Sequence, residues 1–311
     1  MITEKIIIGE NSKYPLNGCL TFPTNTEFPV PAVVFVHGSG SSNMDEKVGK
    51  LTPFKDLAEG LAEHGIASIR YDKRSFAHGF KMLKDKKLII TAKEETIDDA
   101  ILATEFLGKD SRIDSNNIYI IGHSMGGMLA PRIDSEGGNY KGLIIMAGTA
   151  RRLEDVLIDQ TKDMSNSMNP LLQKLINKQV VKYTKIFRNL YEITDDEAKH
   201  IKFGGGTTLY YFKEMGEKTV EHYLKSLNKP ILFMQGERDV QVDMEKDFGL
   251  YKELMSNKEN ASFLSYDNLN HAFVPALYDS IAKAKKEFQV ERHIGPEVIE
   301  DIANWIHTKG V

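Results

Sequence analysis

The sequence has a single cysteine, Cys19, among its 311 residues, so no disulfide can form within the chain. Its thiol lies in a strand-like run and is expected to pack as a small hydrophobic group. Lys and Arg total 40 against 44 Asp and Glu, with both signs interspersed, which excludes the basic face that nucleic-acid binding needs. No apolar run approaches the length of a membrane span, so we expect no membrane partner.

The N-terminus also lacks the pattern of a secretory signal, because residues 1–5 show no basic segment followed by an apolar core. This feature and the lone cysteine favour a cytoplasmic protein. The oligomeric state is left open between monomer and homodimer. No group of His, Cys, Asp and Glu has the spacing of a metal site, so we expect neither a metal nor another cofactor.

Short apolar runs predict strands, and amphipathic segments between them predict helices. The strand runs are residues 5–8, 18–22, 32–36, 66–71, 118–122, 142–147, 230–235 and 261–264. The main helical segments are residues 53–64, 97–108, 125–132, 244–256 and 296–306. Thr96 is expected to cap the second of these helices, and residues 72–78 are expected to form a loop. Strands that alternate with helices predict an α/β fold with a mostly parallel, doubly wound sheet.

This alternation stops at about residue 149, and the chain has no clear strand from there to residue 228. The segment contains polar and amphipathic helical stretches, so we expect an insertion of several helices at residues 151–228. Residues 1–150 and 229–311 then form the core domain. Three glycines at residues 204–206 are compatible either with a flexible point or with an ordinary loop.

The stretch at residues 118–132 carries a Gly-His-Ser-Met-Gly motif between a predicted strand and a predicted helix. A strand that turns at once into a helix forces its corner residue, Ser124, into strained dihedral angles. The flanking glycines are needed because the neighbouring backbone comes too close for a Cβ atom. The helix N-terminus directs unpaired N–H groups at the same place, so Ser124 is predicted to be a nucleophile.

A serine hydroxyl needs a base to take its proton, and that base needs a carboxylate to orient it. Asp239 follows one predicted strand and His271 follows the next. The chain order Ser124, Asp239, His271 is the one expected when the nucleophile sits on the central strand. Asp243 and Asp267 are the alternatives to Asp239, although Asp243 is expected to cap the helix that follows it.

An acyl intermediate also needs two N–H donors for its oxyanion. The first is the backbone N–H of Met125, next to the nucleophile. The second is expected from the His-Gly-Ser-Gly loop at residues 37–40, where we favour Ser39 and keep Gly38 and Gly40 as alternatives. The loop lacks the glycine and lysine pattern of a phosphate-binding loop.

These motifs stand in the order found in the α/β-hydrolase superfamily, which the chain resembles over nearly its whole length. Within it, the sequence is similar to the bacterial carboxylesterases and the serine-aminopeptidase-like (S33-type) hydrolases. The resemblance implies an eight-stranded, mostly parallel sheet with helices on both faces, a helical cap at residues 151–228, and a substrate pocket between the cap and the strand ends. The segments that carry it are residues 37–40, 122–127, 236–239 and 270–271 and, less specifically, 53–57, 70–74 and 129–132.

These observations predict a serine hydrolase that cleaves small or medium carboxylic esters through an acyl-enzyme, with His271 as base and Asp239 as its orienting group. An aminopeptidase-like peptidase or an acyl-thioesterase would use the same residues, whereas a non-catalytic binding protein would use only the pocket. The expected partner is a small-molecule ester. The residues expected to line the pocket are His37, Gly38, His78, His123 and Tyr211.

Overall fold

The core of the protein is a mostly parallel eight-stranded sheet. The computed structural model describes residues 1–24, 26–204 and 206–309. The strands are β1 (Ile2–Ile8), β2 (Leu16–Phe22), β3 (Val30–Val36), β4 (Ala67–Tyr71), β5 (Ile113–His123), β6 (Gly142–Met146), β7 (Lys202–Gly204), β8 (Thr207–Thr208), β9 (Ile231–Gly236) and β10 (Ala261–Tyr266). Strands β7 and β8 form a separate pair, and the other eight form the sheet in the order β1-β2-β4-β3-β5-β6-β9-β10. Among the described residues of this sheet, the antiparallel pairings are those of β2 with β1 and with β4, and the other pairings are parallel, so the predicted α/β fold class is confirmed.

Helices cover both faces of this sheet. They are α1 (Pro53–Glu63), α2 (Arg74–Lys84), α3 (Asp98–Leu107), α4 (Met125–Ile133), α5 (Leu153–Asn166), α6 (Pro170–Phe187), α7 (Asp195–His200), α8 (Leu209–Glu217), α9 (Val220–Ser226), α10 (Gly249–Leu254), α11 (Ala284–Glu287) and α12 (Pro296–Lys309). Shorter helical turns lie at Lys93–Ile97, Asp134–Gly138, Met244–Phe248 and Ile281–Lys283. Within the described residues, no helix is both long and apolar enough to cross a bilayer.

Strand β3 shows why the central strands read as continuous apolar runs. Val34 and Val36 are buried in the cluster that also contains α3 and α4. Val33 and Phe35 are buried in the cluster that contains α1 and α12. Successive side chains of a strand point to opposite faces, so a strand covered on both faces must be apolar at every position.

Residues 72–78 do not form the predicted loop, because α2 begins at Arg74. The periodicity was not diagnostic, since Met82 is the one buried residue of this helix and its large apolar residues Phe76 and Phe80 are exposed. Thr96 is likewise not the predicted helix cap. It lies inside the π-helical turn at Lys93–Ile97, because the helical chain begins a turn earlier than predicted.

The segment between β6 and β9 contains α5 to α9, together with the small antiparallel pair β7 and β8 that the sequence did not predict. Gly205, part of the proposed flexible point, lies outside the described residues. Helices α6 to α8 share their own apolar cluster, which includes Phe187, Leu190 and Phe212. Helix α9 differs, because Val220 and Leu224 are buried in the core cluster of α3 and α4.

Candidate active site

Ser124 occupies the single position between β5 and α4, with φ 54° and ψ −119°. Such a positive φ is strained for a residue with a side chain. A Cβ atom at Gly126 would lie 2.1 Å from the carbonyl oxygen of Val36, and one at Gly122 would lie 2.3 Å from that of Gly126. The strand and helix therefore approach so closely that glycine is required on both sides, and the half-buried Ser124 stands at the corner between them.

Asp239 lies in the loop after β9, and His271 lies in the loop after β10. The Nδ1–H of His271 donates to Oδ2 of Asp239 at 2.6 Å. The Asp239 side chain is fully buried, and it also accepts bonds from the side-chain amide of Gln235 and from the N–H groups of Gln241 and Val242. All these partners are donors, which suits a carboxylate anion and leaves Nε2 of His271 free to accept a proton.

Asp243 was the main alternative to Asp239. Its carboxylate accepts the N–H groups of Glu245 and Lys246 at 2.9 and 2.8 Å, so the prediction that it caps the following helical turn is confirmed. In the part of the chain that the structure describes, the carboxylate bonded to the His271 ring is that of Asp239.

The loop after β3 lies directly over the serine. A Cβ atom at Gly38 would be 3.1 Å from Cβ of Ser124. The N–H of Gly38 donates to Oε1 of Glu46 at 2.7 Å, so it is not available to a substrate. Ser39, in contrast, lines a cavity together with Ser124 and Met125. The geometry therefore favours Ser39 over Gly38 as the second N–H donor.

Glu46 also ties the nucleophile segment to the histidine loop. Its Oε2 lies 2.9 Å from Nδ1 of His123, and Nε2 of His123 donates to the backbone carbonyl of His271 at 2.8 Å. Burial lowers the pKa of His123, but Glu46, the carbonyl of His271 and Asp239 together outweigh it, so the net shift of the pKa is upward. Burial raises the pKa of Glu46, but His123, His37 and the N–H of Gly38 together outweigh it, so the net shift of the pKa is downward. The two residues therefore form a buried ion pair beside Ser124.

Two cavities meet at this place. The apolar cavity has a volume of about 240 Å³, and the second cavity has about 540 Å³. Ser39 and Met125 belong to the walls of both. The other residues of the apolar cavity are Ser124, Met128, Thr149, Leu153, Val156, Leu157, Gln160, Phe203, Phe212 and Val242. The second cavity also includes Met82, Leu83, Glu95, Tyr183 and Tyr211.

The predicted pocket residues divide into three groups. Tyr211 lines the second cavity, while Gly38 and His123 lie next to Ser124 but not in either wall. The structure does not bring His37 or His78 into these walls, which corrects that part of the predicted pocket. Each imidazole is bonded elsewhere.

His37 is 1% exposed, and the Nε2–H of its ring donates to the carbonyl of Asn43 at 2.9 Å. Burial lowers the pKa of His37 to about 4. The ring of His78 lies 2.6 Å from the carbonyl oxygen of Pro15.

Sequence reasoning missed three charged residues next to the loop at residues 37–40. They are Glu46, Lys73 and Glu95, all buried. Lys73 belongs to the segment at residues 70–74 that carried only a weak resemblance. The other two lie in polar stretches, where a charged residue is ordinarily exposed and gives no signal of burial.

With this geometry described, the chain can be compared with known proteins. A family model described as serine aminopeptidase, S33, matches residues 29–275. The chain therefore belongs to this family, and the resemblance to the α/β-hydrolase superfamily is confirmed. A curated relative is esterase EstD from Thermotoga maritima, which is 34% identical over 300 residues. That alignment covers 94% of this chain but 65% of the relative, so the chain spans just under two thirds of that esterase.

Solved structures show the same fold at low sequence identity. The Pyrococcus furiosus esterase PF2001 superposes with a TM-score of 0.58 at 16% identity, covering 99% of this chain and 91% of that one. Proline iminopeptidase from Mycobacterium smegmatis gives a TM-score of 0.59 at 13% identity, with 98% of each chain covered. These similarities support the fold alone.

Proposed function

We propose that the protein is a serine hydrolase that cleaves carboxylic esters with small or medium acyl groups. The observation that carries this proposal is the strained Ser124 at φ 54°, placed beside Gly38 and followed in the chain by the bonded pair Asp239 and His271. Membership in a hydrolase family and 34% identity to an esterase support it.

In the proposed mechanism, Oγ of Ser124 attacks the ester carbonyl carbon while Nε2 of His271 takes its proton. The π electron pair of the carbonyl moves onto oxygen, where the N–H groups of Ser39 and Met125 hold it. The intermediate collapses, and His271 protonates the departing alcohol. Water, deprotonated by His271, then releases the acid from Ser124, and Asp239 stabilises the imidazolium at each stage.

The lining of the apolar cavity favours an ester over a peptide with a free amino terminus. An α-ammonium group needs a carboxylate to receive it, and among the described residues the wall of the apolar cavity carries no charged side chain; carboxylates line the neighbouring cavity that shares Val156 and Gln160 with it. In the second cavity, Glu95 already contacts Lys73 and Tyr211. A volume of about 240 Å³ lies below the range typical of drug-sized ligands, which fits a short or medium acyl chain.

The test is hydrolysis of p-nitrophenyl butyrate by the wild type and by Ser124→Ala. We expect the variant to lose on the order of 10⁴-fold or more in kcat, because nucleophile and base act as a unit. Wild type, but not Ser124→Ala, should be labelled by a fluorophosphonate. The matched control is Ser256→Ala, which removes an exposed hydroxyl and should keep wild-type activity.

Equal hydrolysis by Ser124→Ala and wild type would contradict the mechanism. Aminoacyl anilides and acyl-CoA thioesters, assayed under the same conditions, distinguish a peptidase and a thioesterase from an esterase. A wild type that prefers an aminoacyl anilide to the butyrate ester would overturn the proposed substrate class.

A further inference from the structure

The peptide group between Gly38 and Ser39 is held by a buried lysine. The ammonium Nζ of Lys73 donates to the carbonyl oxygen of Gly38 at 2.8 Å, and the Lys73 side chain is 2% exposed. Lysine is rarely buried to this degree, because removing an ammonium group from water is costly unless it is paired. The contact therefore has a specific structural consequence at this loop.

That consequence follows from the planarity of the peptide group. In a trans peptide, the C=O and the N–H point in opposite directions. Fixing the carbonyl of Gly38 toward Lys73 directs the N–H of Ser39 to the opposite side. Ser39 lines the apolar cavity together with Ser124 and Met125, which is where a substrate oxyanion would form in the proposed mechanism.

The preceding peptide is fixed as well, by the bond from the N–H of Gly38 to Glu46. The carboxylate of Glu46 thus holds the N–H of Gly38, and the ammonium group of Lys73 holds the carbonyl of the same residue. Donors fixed before the reaction stabilise the transition state without reorganisation when charge develops.

Lys73 is itself held by Glu95, whose Oε1 lies 3.4 Å from Nζ. The other oxygen, Oε2, accepts the hydroxyl of Tyr211 at 2.8 Å. Glu95 lies in the π-helical turn at Lys93–Ile97, and Tyr211 lies on α8 of the insertion. A continuous series of polar contacts therefore runs from the insertion to the peptide that presents the N–H of Ser39.

We propose that Lys73 is a positioning residue for the oxyanion hole, and that Tyr211 of the insertion supports it through Glu95. The inference rests on the proposed esterase function, because it concerns the N–H of Ser39 in that reaction. Lys73 touches no reacting atom. It acts through the carbonyl of Gly38, and the insertion thereby contributes to transition-state stabilisation from outside the reacting centre.

The experiment compares steady-state hydrolysis of p-nitrophenyl butyrate with inhibition by an alkyl trifluoromethyl ketone. The ketone forms a tetrahedral adduct: Oγ of Ser124 bonds to its carbonyl carbon, the serine proton passes to His271, and the carbonyl oxygen becomes an alkoxide. We expect Lys73→Met to lower kcat roughly 30- to 100-fold, since a displaced oxyanion donor costs that order. The inhibition constant should rise by the same factor, and KM should change less than about threefold.

Two further variants separate positioning from simple destabilisation. Lys73→Arg keeps a buried donor and should recover most of the lost kcat. Tyr211→Phe removes one hydroxyl and should lower kcat and raise the ketone inhibition constant by a matching factor of roughly three to ten. Its control is Tyr251→Phe, since Tyr251 is also buried and its hydroxyl has no hydrogen-bond partner among the described residues.

If Lys73→Met keeps the kcat and the ketone affinity of the wild type, the inference is overturned. An inactive Ser124→Ala would still support the proposed function in that case. If Lys73→Met does not fold, Tyr211→Phe and Glu95→Gln test the inference instead. Wild-type kcat and ketone affinity in both of these variants would also overturn the inference. A merely structural role predicts lower thermal stability without matched changes in kcat and ketone affinity. A wild type without ester hydrolysis would overturn both proposals together.

Discussion

At the scale of single residues, the loop at residues 37–40 is surrounded by ionisable side chains with different charge states. Glu46 pairs with His123, and Lys73 pairs with Glu95. Among the described residues, His37 is bonded to no carboxylate and donates to the backbone carbonyl of Asn43 instead. It must therefore be neutral in the folded protein under conditions where the unfolded chain begins to protonate it.

This difference predicts a pH dependence of stability. Burial is the main cause that lowers the pKa of His37 to about 4; Lys73 and His123 also lower it, and Glu46 and the Asn43 carbonyl oppose the shift. The unfolded imidazole titrates near the ordinary value of about 6.5. The stabilisation is therefore complete above pH 6.5 and is lost as the pH falls toward 4, by up to about 1.4 kcal/mol per pH unit.

Urea unfolding at several pH values between 4 and 7 measures this effect. In His37→Gln, the side-chain Nε2 amide takes the place of the imidazole Nε2, so it can still donate to the Asn43 carbonyl but cannot titrate. As the pH is lowered, the free energy of unfolding should fall less steeply in the variant than in the wild type, by the amount that corresponds to the uptake of one proton. Parallel pH profiles for wild type and variant would show that another group is responsible.

At the scale of elements, the sequence predicted the parts that regular patterns specify. Strand β3 and the turn at Ser124 follow from continuous apolar runs and from glycines forced by close backbone approach. The chain order of Ser124, Asp239 and His271 follows from the positions of strand ends. Helix α2 was not predicted, because its apolar residues are largely exposed and give no helical pattern. The burial of Lys73, just before this helix, was not predicted either, because a charged residue gives no sign of burial in the sequence. Those features depend on tertiary packing.

Helix α5 supplies one wall of the apolar cavity, and Leu157 is part of it. We expect Leu157→Phe to shorten the accepted acyl chain, because the larger ring fills space that a long chain needs. The ratio of kcat/KM for p-nitrophenyl octanoate to that for the acetate should fall roughly tenfold, on the scale of one or two methylene groups excluded from an apolar pocket.

The matched control is Leu171→Phe on α6, where the side chain is 82% exposed. It introduces the same ring without contact with the cavity, and its ratio should equal that of wild type. Equal losses on both esters in Leu157→Phe would mean that this wall does not select chain length.

At the scale of the whole molecule, the sheet carries two large apolar clusters, and α6 to α8 carry a separate one. Helix α9 belongs to the core cluster although it lies within residues 151–228 of the predicted insertion. The insertion therefore ends, in physical terms, before α9. Its role as a cap over the site, the cytoplasmic location and the oligomeric state stay predictions.

Two leucine variants test this division. Leu224→Ala removes a side chain buried in the core cluster and should cost about 2–5 kcal/mol of core stability. Leu190→Ala makes the same change in the cluster of α6 to α8. Trp305, the single tryptophan, packs against Tyr119 in the core, so its fluorescence reports core unfolding in urea.

We expect Leu224→Ala to lower the urea midpoint of the Trp305 signal and Leu190→Ala to leave that midpoint nearly unchanged. Helical circular dichroism should reveal an earlier, partial transition in Leu190→Ala. Equal shifts of the Trp305 midpoint in both variants would show one cooperative unit, contrary to the division drawn here.

The single thiol, in β2, has a practical consequence for fluorescence measurements on this protein. Cys19 is 5% exposed, so a maleimide dye added to the folded protein has little access to it. Leu171→Cys would then direct the dye to a single place on α6, with Trp305 on α12 as a fluorescence donor already present in the core. Energy transfer from Trp305 to this dye would then report the distance between the helical insertion and the core, and no native cysteine would have to be removed first.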